Sequence, residues 1–181
     1  MNPCTVPNKS STTSSNSSSA PTPYTTLAAW AIAVSWALKA QGLNADEVFT
    51  SAGLCLSDYE KKPSSRIPIE NMTRLWDVSV KATHNPAFGL FVSEHVHAVH
   101  FKALGMLIVS CENLAQALEK MVAYHALISD SVQLNLQHKP DQVGFSIRAI
   151  EGVIISPQSI DAFYAVIVKF CRSMVGDGEL V

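Results

Sequence analysis

The stretch LAAWAIAVSWAL, Leu27 to Leu38, runs twelve residues without a charge before Lys39. A bilayer crossing needs about 20 apolar residues, so this run is too short to span one. It reads instead as a buried helix, with Thr25 or Thr26 as its cap and Gly42 ending it in a left-handed conformation. Apolar side chains surround it on nearly every face. Such a helix must lie at the centre of a fold or pack against a second subunit. The rest of the chain has to supply its partners.

The material for that is present. The 181 residues are 48% hydrophobic and 15% charged, with a net charge of −2. This suits about one domain with a sizeable core. So little charge means that much of the chain is interior, or that a partner covers part of it. The basic residues are scattered, and the densest group, Lys61, Lys62 and Arg66, is small. Nucleic-acid binders carry a clustered basic face, so direct contact of these residues with DNA or RNA is not expected.

Residues 1–23 stand apart. Ser10 to Ser19 reads SSTTSSNSSS and cannot bury enough apolar surface to offset its ordering entropy. We read residues 1–23 as a disordered Ser/Thr-rich tail and 24–181 as the folded domain. The tail has one cation, Lys9, and no apolar core of a secretory signal. Cys4, Cys55, Cys111 and Cys171 form no C-x-x-C pair. They read as reduced, buried, small hydrophobes of a cytoplasmic protein.

Along the folded part the period is first helical. Asn44 caps a short helix over ADEVFTSA, stopped by Gly53, and Ser57 caps another over SDYEKK. Pro68 suits the first turn of a helix through RIPIENMTRLWDVSVKAT. Asn85-Pro86 breaks the chain, and Pro86 starts a helix over PAFGLFVSEHV. Phe101 to Val109 also reads as helical. ENLAQALEKMVAYHALIS then sets Leu114, Ala117, Leu118, Met121, Val122, His125 and Ile128 on one stripe. From there the period is two. SVQLNLQ turns Val132, Leu134 and Leu136 to one face, HKPDQ supplies a turn, and VGFSIRAI turns in Val143, Phe145 and Ile147. This is a β-hairpin with one wet face. Ser156 caps a last helix from Pro157 through Met174, ended by Gly176 and Gly178. The order predicts an α+β fold, mainly helical, with a small antiparallel β-hairpin or sheet packed on helices. A lone hairpin is marginal, so it must rest on the helices and calls for further strands.

Chemistry is sparse. SEHVHAVHFKALG holds His95, His97 and His100. On a helix His95 and His97 point about 200° apart; on a strand His100 falls on the opposite face from them. No Cys or Asp is near to complete a ligand set, so no metal site is expected. A helix end running into a loop, with one histidine lining a pocket, fits better. There is no G-x-S-x-G, P-loop or G-x-G-x-x-G. Neither an enzyme nor a cofactor is expected. Trp30, Trp36, Trp76, Tyr124 and Tyr164 read either as core or as walls of a small-molecule pocket.

Several motifs in order resemble one family. ALKAQGLNADEVFTSAGL is similar to its opening helix, glycine and short second helix. RIPIENMTRLWDVSVKATHNPAFGLFVSE resembles its Arg-Ile-Pro turn, long helix and Asn-Pro-x-x-Gly-Leu helix start. FKALGMLIVSCENLAQALEKMVAYHALISDSVQL resembles its Leu-Gly segment, Leu-x-x-Ala-Leu helix and helix-to-strand exit. The family is the arabinose-binding-like N-terminal, effector-sensing domain of AraC-type bacterial transcription regulators. The resemblance implies a ligand-sensing regulatory domain that takes a small-molecule effector and forms a homodimer. It places the histidines in a link between helices. A pocket between the hairpin's apolar face and the helices is expected, with His100, Tyr124, His125 and Tyr164 near it. The low charge content points to an apolar or amphipathic effector. Such regulators continue into a C-terminal DNA-binding domain; this chain stops at Val181, as a fragment or a truncated relative would. The alternative function is a ligand-free dimerisation module that uses the Leu27–Leu38 helix as its interface.

Overall fold

A computed structural model describes residues 24–140 and 142–175. The apolar run forms α1 (Ala29–Ala40), with Ala28, Ala31, Val34, Ala37 and Leu38 fully buried. Its neighbours are α2 (Ala45–Ser51), α3 (Leu56–Lys61), α4 (Ile69–Thr83) and α5 (Phe88–Ser93), all packed against it. The helix is therefore central within its own chain. Of its apolar side chains, Trp36 is the exposed one, bordering a groove with His100.

The helix starts differently from expectation. Thr25–Leu27 is a short strand, β1, paired antiparallel with β2 (Arg66–Pro68), with Thr26 opposite Ile67. Neither threonine caps α1; its N-cap is Ala28, with no side-chain hydrogen bond. Thr26 donates instead to the Ile128 carbonyl (3.3 Å). Gly42 does end the helical segment at φ +75°, and Gly53 follows α2 at φ +75°. Asn44 caps α2 by accepting from the Asp46 N–H (3.1 Å) while it donates to Glu47 (2.8 Å). Cys55, not Ser57, is the N-cap of α3. Cys55 is disulfide-bonded. That corrects its reading as a reduced core thiol, since it lies half-exposed ahead of α3. Cys111 and Cys171 are free thiols, half-buried rather than buried.

α4 follows directly on Pro68, and His84 closes it in the left-handed region (φ 51°). The Asn85 side chain accepts from the Ala87 N–H (2.9 Å) and launches α5. A 3-10 turn (Ala98–Phe101) leads into α6 (Lys102–Val109), with Lys102 at φ 52° marking the break. Gly105 sits against the Ala98 carbonyl, where no Cβ fits. α7 (Leu114–Tyr124) stops earlier than its apolar stripe, and His125–Leu127 tightens into a second 3-10 turn.

The hairpin is β3 (Val132–Lys139) and β4 (Gln142–Ala149), with Leu134 opposite Ile147 and Leu136 opposite Phe145. Val143, expected to face inward, is exposed near the tip, beyond the helices. Among the described residues the two sheets have two strands each, and only a bridge from Thr26 to Ser129 leads from one toward the other. The hairpin thus rests on helices. The last of these is α8 (Pro157–Val175), capped by buried Ser156, which accepts from the Gln158 N–H (3.3 Å). α8 packs along α5. The fold is mainly helical α+β. The tail at 1–23, and Gly176 and Gly178, lie outside the described residues. Within them, no helix is long and apolar enough to cross a membrane.

Candidate functional site

A cavity lies where the hairpin meets the helices. Its walls follow from periodicity. Ile69, Met72, Thr73 and Trp76 share one face of α4 at helical spacing, and they line one side. Leu134 and its cross-strand partner Ile147 line the opposite side, on the inward face of the hairpin. Ser159, Ile160 and Phe163 of α8 close a third side. Trp30, Met121 and His125 complete it. The free space for the centres of water molecules is about 60 Å³. At about 10–15 Å³ per water, that suits a small organic molecule.

Among the described residues, no Asp, Glu, Lys or Arg lines this cavity. Its hydroxyls are engaged. Thr73 donates to the Ile154 carbonyl (3.3 Å), Ser159 to that of Ser156 (2.7 Å), and Ser129 and Ser131 share a hydrogen bond (2.7 Å). His125 Nδ1 lies 2.8 Å from the Val122 carbonyl and Nε2 3.0 Å from that of Val132, and the single N–H of a neutral imidazole donates to one of the two. The ring sits between the end of α7 and the start of β3. Trp76 is the exception. It is 1% exposed, and its Nε1–H is sealed from solvent with no hydrogen-bond partner.

Of the four residues expected near a pocket, His125 lines this cavity, Tyr164 adjoins its wall residue Ile147, and Tyr124 and His100 are not among its walls. Tyr124 is exposed. The Tyr164 hydroxyl accepts from the Ile147 N–H (3.2 Å), and its ring meets Phe145 edge-on (6.3 Å). It holds β4 to α8 without lining the space. His100 sits in a separate groove with Trp36, Glu60 and Lys102. Its ring is 5.0 Å from that of Trp36, and Nδ1 accepts from the His97 N–H (2.9 Å). Burial, together with neighbouring His97 and Lys102, holds its pKa below the ordinary histidine value. His95 packs edge-on against Phe91 (5.4 Å). Among the described residues, no three His, Cys, Asp or Glu side chains gather into a metal-binding group.

Thr73, Ser129 and Ser131 were missed as wall residues. The only signal for Thr73 was a polar residue inside the apolar stripe of α4. A second apolar space, about 260 Å³, shares Met121, Ile128 and Phe163 with the first and extends between α6 and α8. Exposed His97 and half-exposed Lys169 also border it. The Lys169 ammonium donates to the Ser93 carbonyl (3.1 Å) and to Glu94 (3.3 Å).

The chain matches the family described as the arabinose-binding domain of AraC transcription regulators, N-terminal, over residues 42–180. No curated protein matches it.

Proposed function

Because the chain belongs to the family of N-terminal arabinose-binding domains of AraC transcription regulators, we propose that it is a sensor whose small-molecule effector sits between the hairpin and the helices. One observation carries the reading: a cavity shared by α4, the hairpin and α8, with no charged side chain among its described walls. Small-molecule sites have this make-up, apolar walls with a few polar groups to orient the ligand. The effector acts through its differential affinity for two arrangements of hairpin and α8. A DNA-binding domain attached after this one would feel that bias.

The wall hydroxyls donate within the protein and keep their oxygen lone pairs, so they can accept from a ligand's O–H groups but have few donors to offer it. For the homodimer implied by the family, exposed Met106 and Val109 on α6 and exposed Trp36 on α1 offer apolar surface.

The test is a thermal-shift screen of the full chain against neutral, charged and sugar libraries. A true effector at 100-fold over its Kd adds about 2.7 kcal/mol. Ser159→Leu, which fills the cavity, should keep a cooperative melt and lose that shift. A ligand that shifts Ser159→Leu as strongly as the parent chain would place the effector elsewhere.

A further inference from the structure

We propose that the space between α6 and α8 is a second binding site, which takes a medium-chain aliphatic monocarboxylate with its tail between the helices and its carboxylate at Lys169. It is distinct from the effector cavity proposed above, and neither reading depends on the other.

Size and lining set the tail. Gly105, Ile108 and Val109 line the space from one face of α6, and Val166, Phe170 and Ser173 from one face of α8, each set at helical spacing. Packed interiors leave few voids larger than a water molecule, so about 260 Å³ between two helices is room for an occupant. An apolar cavity of about 150 Å³ takes one benzene, and in proportion this space takes about ten heavy atoms, the size of octanoate. Val109, His97 and Ser173 are exposed and bring the space to the surface, so a chain can enter and leave a polar end in water.

The rim sets the head group. Lys169 is the one charged side chain among the described residues that line the space, and no Asp or Glu joins it there. An ammonium has three N–H donors. The Ser93 carbonyl takes one (3.1 Å) and Glu94 another (3.3 Å), which leaves a third. Glu94 is a weak rival to a ligand anchored by its tail, because its side chain is 63% exposed and ion pairs in water are worth little. His97 also lines the space and can add a ring N–H. A cationic head would meet the ammonium with like charge.

The full chain, labelled with ¹³C at its Ile, Leu and Val methyls, is titrated with octanoate, octan-1-ol, octylammonium and butyrate. Octanoate should give intermolecular Overhauser contacts to the methyls of Val109, Val166 and Ile167. Contacts to Ile69 and Ile147 instead would put it in the other cavity and overturn the site. Octan-1-ol should bind about three-fold more weakly and octylammonium about ten-fold more weakly. Either one binding as tightly as octanoate overturns the carboxylate. Butyrate, four methylenes shorter, should bind at least about fifty-fold more weakly, since each buried methylene is worth about a factor of four. Equal binding of butyrate overturns the tail.

Lys169→Met keeps the stem and should weaken octanoate about three- to ten-fold. Octan-1-ol should bind that variant as it binds the parent, which also shows that the variant is folded. Glu94→Gln removes the rival carboxylate and should strengthen octanoate about two-fold. Equal octanoate binding to parent and Lys169→Met overturns the role of Lys169. No binding by any of the four probes removes the site and leaves the effector cavity standing, because that cavity is tested separately through Ser159→Leu.

Discussion

The Arg66 guanidinium reaches the Asp130 carboxylate at 3.2 Å, and both of them hold Thr25. Arg66 Nε donates to the Thr25 hydroxyl (2.6 Å), and its Nη1 donates to the Leu127 carbonyl (3.0 Å). Asp130 accepts from the Thr25 N–H (2.6 Å). One side chain thus ties β1, β2 and the turn before β3. Arg66→Ala should cost about 1–2 kcal/mol, measured by chemical denaturation. The ion pair is half-exposed, so its share is discounted, and the guanidinium's hydrogen bonds to the Thr25 hydroxyl and the Leu127 carbonyl supply most of the loss. Arg66→Lys should recover little, because a single ammonium cannot copy the planar fork.

Two glycines have no room for a side chain, and a third has room but an unusual backbone. A Cβ on Gly89 would strike the Gln158 main chain, and one on Gly105 would strike the Ala98 carbonyl. Gly89→Ala should cost about 1–3 kcal/mol and loosen α8 from α5. Gly42, at φ +75°, has nothing within 4 Å of its missing Cβ. Gly42→Ala should therefore cost only the left-handed strain, about 1–2 kcal/mol. Denaturant midpoints of the three variants separate clash from strain. Equal costs at all three would mean that packing around Gly89 and Gly105 yields easily.

Stability should fall on mild acidification. The pKa of His100 is lowered in the fold, chiefly by burial. The folded chain therefore favours the neutral ring more than the unfolded chain does. Its contribution is complete above the ordinary value near 6.5 and is lost as the pH drops through the lowered value. The His97 N–H bond to Nδ1 also requires that nitrogen unprotonated. His100→Gln should flatten the decline between pH 7.5 and 5 in thermal melts. An unchanged profile would assign the decline to other groups.

Tyr164→Phe removes one oxygen and leaves the Ile147 N–H without its acceptor. The expected cost is about 0.5–1.5 kcal/mol. Faster amide hydrogen exchange at Ile147, with exchange in α1 unchanged, would locate the effect on the hairpin. Uniformly faster exchange would show that β4 and the core open as one unit.

The long periodic elements were legible in the sequence, and so was their order. α1 announces itself as an uncharged run, and the hairpin as a switch to strict alternation at Val132. Caps at Asn44 and Ser156 are local chemistry and were read correctly. β1 and β2 were not seen. Three residues are too few for a period, and their partnership joins Thr26 to Ile67 across the whole first helical layer. His100 and His125 were both expected near one pocket, yet the fold sets His100 beside Trp36 in a separate groove and His125 on the cavity wall. Trp76 could not be told from an ordinary core tryptophan. What sets it apart is a missing hydrogen bond, and that depends on segments remote in the chain.

The cavity belongs to no single element. Its walls run from Thr26 to Phe163 and draw on the first strand, the long helix, the hairpin and the last helix together. Nothing can grip a molecule there without also gripping those elements to one another. A bound effector is then one more side chain of the hydrophobic core, delivered from solution instead of by the ribosome. Its presence should be registered as the rate at which the entire interior comes apart.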